Sequence, residues 1–187
     1  FTGTDIIVGG QAGDVIDAGQ GDNIVLGDNG QVLLATEAPN FGTFRYALVY
    51  AATLDATTGG DDTIRTGFGA DLILGGFGND NIVANMGETA AQSDAVNLIL
   101  GDFGAAYWND DNDLSTHTFV GGNDIIRTGR ASDIIIGGDA NDDIDASQGQ
   151  NLIIGDSGEI LSGAAATNVP AFGLALRTIR TIEDTRG

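Results

Sequence analysis

The 187-residue chain has no cysteine, no lysine, a single histidine and only two prolines. Without cysteine, neither a disulfide nor a thiolate metal site can hold the fold together. Without lysine, positive charge comes from seven arginines against 27 acidic residues, a formal net charge of −20. That imbalance makes nucleic acid and anionic membranes poor partners. No apolar run approaches membrane-spanning length, so no membrane insertion is expected, and no signal peptide opens the chain. The histidine, His117, stands in a segment with no serine–aspartate context for a triad, and no enzymatic activity is expected. Two prolines beside 30 glycines exclude collagen, and so much glycine argues against long helices. Such acidity can accompany disorder, but a hydrophobic content of 42% argues for a packed core. The excess carboxylates therefore need open solvent or cations.

What is present is a period. Asp5, Asp14 and Asn23 are nine residues apart, as are Asp62, Asp71 and Asp80, and again Asp124, Asp133, Asp142 and Asn151. Asn97 follows Asp80 by 17, one nine plus an eight-residue loop. Two places after each key residue stand Ile7, Ile16, Val25, Ile64, Ile73, Ile82, Ile99, Ile126, Ile135, Ile144 and Ile153. All are β-branched and aliphatic, so each unit reads as a short strand with one inward side chain, followed by a glycine-bearing turn.

A longer period sits above the first. "IVLGDNG", "LILGDFG" and "LIIGDSG" end three blocks, each full block holding three Asp-keyed units and one Asn-keyed unit. The blocks are 1–30 (truncated), 59–104 and 121–158. Residues 31–58 and 159–187 read as hairpin insertions, and 105–120 as a shorter connector. Both ends fall within a repeat, as expected for a segment of a longer tandem array.

The unit "GGFGNDNIV" (75–83) fits Gly-Gly-x-Gly-x-Asp-x-(large aliphatic)-x throughout. "GGQAGDVID" and "GGDANDDID" depart from it at Ala12 and Ala140, and "TGFGADLIL" at its first position. "TGRASDIII" departs further. This resembles the calcium-binding nonapeptide of the repeats-in-toxin (RTX) family. The resemblance implies an all-β fold, a right-handed parallel β-roll (a β-solenoid) with β-hairpin insertions. It also implies several calcium ions as cofactor, held between turns by carboxylates and by carbonyls of glycine turns such as Gly9, Gly75 and Gly137. Carried over, the pairs sharing an ion are Asp62 with Asp80 and Asp124 with Asp142 on one edge. On the other they are Asp71 with Asn97, Asp133 with Asn151, and Asp5 with Asn23. Asn departs from the family's Asp, so those sites are weaker or absent. Asp14 finds no regular partner 18 residues on and is expected to face an earlier rung.

Elementary physics points the same way. Carboxylates stacked at the ordinary inter-strand spacing repel by roughly 1 kcal/mol even in water. A hard cation with oxygen ligands turns that repulsion into binding. The units also divide by parity: one sheet is apolar on both faces (Leu72/Leu74, Leu98/Leu100, Ile134/Ile136), the other mostly polar outside. A sheet apolar on both faces is normally covered. The hairpins, with Phe41, Phe44, Tyr46, Tyr50, Phe172 and Leu174, are the expected cover, and homo-assembly through that face is the rival. Arg65 and Arg127 are expected to pair with acids on the polar sheet. Asp28, Asp102 and Asp156 read equally as ligands and as block-ending turns. "NDDND" (109–113) reads first as a solvated acidic turn, with an extra calcium loop as rival; Tyr107 and Trp108 read as connector anchors before a carbohydrate platform.

The expected function is a calcium-binding structural module of a large secreted or cell-surface protein: an adhesin, surface layer or extracellular filament. Its expected partners are calcium and neighbouring repeats of the same chain, and type I secretion is its expected route. The alternatives are an accessory domain of a secreted hydrolase or epimerase, and a sugar- or ice-binding module. The ranks of Thr that would mark ice binding are missing from the sequence.

Overall fold

The computed structural model describes residues 2–35, 47–85, 95–108, 114–118, 120–169 and 174–182, and every regular element among them is a strand. Successive nonapeptides alternate between two parallel sheets. The middle sheet holds β1 (Ile6–Gly10), β3 (Ile24–Asp28), β7 (Leu72–Gly76), β9 (Leu98–Asp102), β13 (Ile134–Gly138) and β15 (Leu152–Asp156), in that order. The polar sheet holds β2 (Val15–Gly19), β6 (Thr63–Thr66), β8 (Asn81–Val83), β12 (Ile125–Arg127) and β14 (Asp143–Asp145). A strand of the middle sheet and the polar strand after it make one tier. Between the two strands of each unbroken tier the chain reverses through a glycine such as Gly76 (φ 123°), a conformation closed to most residues with a Cβ.

The branched residues stack in register. Val25 lies opposite Ile73, Ile73 opposite Ile99 and Ile99 opposite Ile135, while Ile64 lies opposite Ile82 and Ile82 opposite Ile126. These two columns pack face to face as one buried core. Ile153, expected inward, is 45% exposed, since among the described residues no polar strand follows β15 to cover it.

Block boundaries do not interrupt the stack. β3 pairs directly with β7, Ile24 opposite Leu72, and β8 with β12, Asn81 opposite Ile125. What leaves between them forms a third, antiparallel sheet. It runs β4 (Gly30–Ala35), β5 (Ala47–Thr53), β10 (Gly104–Trp108), β11 (Leu114–Thr118), β16 (Gly158–Val169) and β17 (Leu174–Thr181). The connector 105–120 is thus a hairpin like the others. A hairpin leaves from every second tier, just after its middle-sheet strand, and supplies two strands, and strands in both sheets sit about 4.8 Å apart. Hairpin width therefore matches tier spacing, and the hairpins join edge to edge, Tyr107 opposite Tyr50 and His117 opposite Glu159.

This third sheet covers the second apolar face. Leu72, Leu74, Leu98 and Leu100 are buried against Ala51, Ala106 and Ile160, with Val32, Leu34 and Leu176 packed alongside. Aromatic cover, expected from Tyr50, is not what the strands present. Ala51 faces inward, so alternation turns Tyr50 outward, where its ring meets that of Tyr107 at 4.7 Å. Phe41, Phe44, Tyr46 and Phe172 lie outside the described residues, as does the segment 109–113. The cover seen among the described residues comes from within the chain. Ile6 and Val8 of β1, beyond the hairpins, remain 43% and 45% exposed.

Candidate metal centre

The turns lie along two edges. On the first, from middle to polar sheet, Asp14, Asp62, Asp80, Asp124 and Asp142 form one column. The Asp14 N–H donates to Asp62 Oδ1 (2.7 Å), Asp62 to Asp80 (2.8 Å), Asp80 to Asp124 (2.8 Å) and Asp124 to Asp142 (2.9 Å). Asp14, expected to face an earlier rung, therefore pairs with Asp62, 48 residues on, because the hairpin loops out and the chain returns in register. The expected neighbours Asp62/Asp80 and Asp124/Asp142 adjoin through these bonds.

One oxygen of each accepting carboxylate, Asp62, Asp80, Asp124 and Asp142, is so used. The other, Oδ2 of Asp62, Asp80, Asp124 and Asp142, is buried with no hydrogen-bond partner. It faces the α-carbon of a glycine in its own turn: Gly27 for Asp62, Gly75 for Asp80, Gly101 for Asp124, Gly137 for Asp142, and likewise Gly9 for Asp14. Beside each glycine lies the carbonyl oxygen of the corresponding glycine one tier on, namely Gly27, Gly75, Gly101, Gly137 and finally Gly155. A Cβ on Gly27 would come within 2.5 Å of the Gly75 carbonyl oxygen, and one on Gly9 within 2.7 Å of Asp14 Oδ2. Only glycine keeps these recesses open.

The electrostatics show what the recesses lack. Burial, with repulsion from neighbouring carboxylates added, pushes Asp62 and Asp124 up to about 7 and Asp80 up to about 9. Such groups resist ionising where they sit unless a cation joins them. Orphaned buried carboxylate oxygens, adjacent carbonyls and an all-oxygen lining fit a hard divalent ion of flexible coordination, hence Ca²⁺. Among the described residues no three Asp, Glu, His or Cys side chains converge on one point, so main-chain carbonyls must complete any such shell.

On the second edge Asp5, Asn23, Asp71, Asn97, Asp133 and Asn151 make a comparable ladder. N–H to Oδ1 bonds of 3.1, 2.9, 3.0, 3.0 and 2.9 Å run along it from Asp5 to Asn151. Here the amides add donors of their own: Asn23 Nδ2 to Asp71 Oδ1 (2.9 Å) and Asn97 Nδ2 to Asp133 Oδ1 (3.0 Å).

Asp28 and Asp102 are turn-formers. Asp28 accepts from the N–H groups of Gly60 (3.1 Å) and Phe77 (2.5 Å), tying the point where the chain leaves the stack to the point of re-entry. Asp102 does the same with Gly122 (2.9 Å) and Asp139. Asp156, on the last middle strand, is exposed. Arg127 pairs with Asp143 (2.5 Å) on the polar sheet, and Arg65 stands opposite Asp17. Two features escape a motif reading. Gly27 and Gly101 line recesses although "LGD" breaks the double glycine. Asp61, Asn79 and Asn123 form an outer ladder, each accepting the N–H of the next in the series to Asn141. The Asp or Asn before each key Asp was its signal.

The fold and site thus define an all-β repeat protein built around stacked, cation-seeking turns. Residues 1–34, 57–88 and 120–153, more than half of the chain, match the RTX calcium-binding nonapeptide repeat (4 copies). The chain belongs to this family, whose repeats bind several calcium ions per array. Neither curated proteins nor solved structures give a match.

Proposed function

We propose that the chain is a structural module of a large secreted or cell-surface protein, such as an adhesin, surface layer or extracellular filament. In this reading its two parallel sheets wind as a right-handed β-roll that folds when calcium binds. The observation that carries it is the column Asp14–Asp62–Asp80–Asp124–Asp142, in which Oδ2 of Asp62, Asp80, Asp124 and Asp142 is buried with no hydrogen-bond partner. A feature repeated at every tier serves a ladder rather than a single reaction centre, so the module is not an enzyme. A chain that stays unfolded in low calcium suits export ahead of folding, as in type I secretion.

The test is circular dichroism of the chain through a calcium titration, with magnesium as control and a chelator to reverse it. A cooperative gain of β signal with calcium, reversed by chelation, is expected. Full β structure in chelator at neutral pH would sink the calcium-dependent reading.

A further inference from the structure

A covalent staple needs paired reactive groups, and this chain offers few. With no cysteine and no lysine it can form neither a disulfide nor a lysine isopeptide. Of its three tyrosines, two meet. Tyr50 on β5 and Tyr107 on β10 stand directly opposite each other. Their ring centroids are 4.7 Å apart and the ring planes are inclined by 47°. That is close to the lower limit for an aromatic pair. Burial, then the charge of Tyr107 and a hydrogen bond between the two side chains, push Tyr50 above the ordinary phenol value. A phenol hydrogen-bonds only through its hydroxyl, so the hydroxyls approach and bring the adjoining ring carbons with them.

The pair also occupies a joint. β4 and β5 form one hairpin and β10 and β11 the next. β5 joins β10 through Ala52/Ala105, Ala51/Ala106 and Tyr50/Tyr107, a shorter ladder than either hairpin has within itself. On the inner side of this joint Ala51 and Ala106 cover Leu72 and Leu74 of the middle sheet. On the outer side Tyr107 is 38% exposed, open to a small oxidant. A bond between the rings would fasten two successive hairpins over the apolar face.

We propose that Tyr50 and Tyr107 form a site of oxidative cross-linking, at which hydrogen peroxide, acting through a peroxidase, joins the two rings as dityrosine. Each phenol gives up one electron and one proton, leaving a phenoxyl radical whose spin is shared with the Cε carbons beside the C–O bond. One Cε of each ring forms the new C–C bond. Each of those carbons then releases its hydrogen as a proton and each oxygen takes one up, restoring both phenols. The peroxide accepts the two electrons and two protons and becomes two waters. The bond closes the loop from residue 50 to residue 107 and restricts the unfolded chain as a disulfide would. The site makes no use of the calcium-seeking turns.

The experiment treats the full chain, at micromolar concentration in calcium, with hydrogen peroxide and a peroxidase, and maps cross-linked peptides by mass spectrometry. A fluorescent monomer carrying a Tyr50–Tyr107 bond and lacking two hydrogens is expected. Paired rings meet at an effective concentration in the millimolar range or above, so intrachain coupling should exceed interchain coupling by about a hundredfold. Tyr50→Phe and Tyr107→Phe each keep a ring in place and should abolish that monomeric product. Interchain dimers as the main product, a bond through Tyr46, or no dityrosine where free tyrosine couples in a parallel mixture would overturn the proposal. Should a variant not fold, the wild type decides alone. A Tyr50–Tyr107 yield independent of chain concentration supports the site, and one that rises with concentration overturns it.

Discussion

Raising the pH of the calcium-free chain from about 5 to about 8 is expected to unfold it, and calcium is expected to abolish that transition. Asp62 and Asp124 hold their protons to about pH 7 and Asp80 to about 9, chiefly through burial. An aspartate in an unfolded chain releases its proton near 4. Between those values the folded state keeps protons that the unfolded state has released. Stability is therefore full below about pH 4 and is lost as pH rises through 7 to 9. At about 1.4 kcal/mol per pKa unit, ionising Asp62 or Asp124 costs on the order of 4 kcal/mol, and Asp80 about 7. The three share one field, so the costs are not independent. Even one is comparable with the roughly 5–15 kcal/mol that holds an ordinary domain together. Calcium binds the ionised form, so the cost becomes binding energy. The assay is far-UV circular dichroism in chelator across the pH series, repeated in calcium, starting above the isoelectric pH of about 4.1 to avoid precipitation. A chelated chain as folded at pH 8 as at pH 5 would refute the reasoning, since the carboxylates would then have to be solvated.

Other perturbations act on single parts of the same framework. Gly75→Ala puts a methyl group against Asp80 Oδ2 and the Gly101 carbonyl, and should weaken calcium binding and cost about 1–3 kcal/mol in urea unfolding. Asn97→Asp removes a donor to Asp133 and places three carboxylates in a row; a loss of about 2 kcal/mol is expected in chelator, read by urea unfolding. Leu100→Ala opens a cavity between the middle sheet and the hairpin sheet and should cost about 2–5 kcal/mol, read as a lower Tm with calcium stoichiometry unchanged. Asp102→Ala leaves the N–H groups of Gly122 and Asp139 without their acceptor, so faster hydrogen exchange is expected at those two amides, ahead of the β9 core.

Local chemistry made much of this readable from residue order. A nine-residue spacing of Asp before a branched aliphatic leaves one solution for Ile64, Ile73, Ile82 and their counterparts, because a strand turns alternate side chains to opposite faces and a glycine turn resets the phase. The same parity marked Leu72, Leu74, Leu98 and Leu100 as a second buried face. Three things lay beyond it, each a matter of which distant residues meet. That Asp14 stacks on Asp62 follows from the hairpin leaving and rejoining in register, which a count of 18 does not show. Among the described residues the cover comes from Ala51, Ala106 and Ile160 and not from the Tyr50 ring, because inward and outward places on those strands are set by pairing with neighbouring hairpins. The difference between the two edges appears only when Gly27 and Thr66 are seen in equivalent places, one leaving a recess beside a carboxylate and the other carrying a buried side chain there. Periodicity specifies what each residue is within its own unit, whereas contact between units depends on closure of the whole stack.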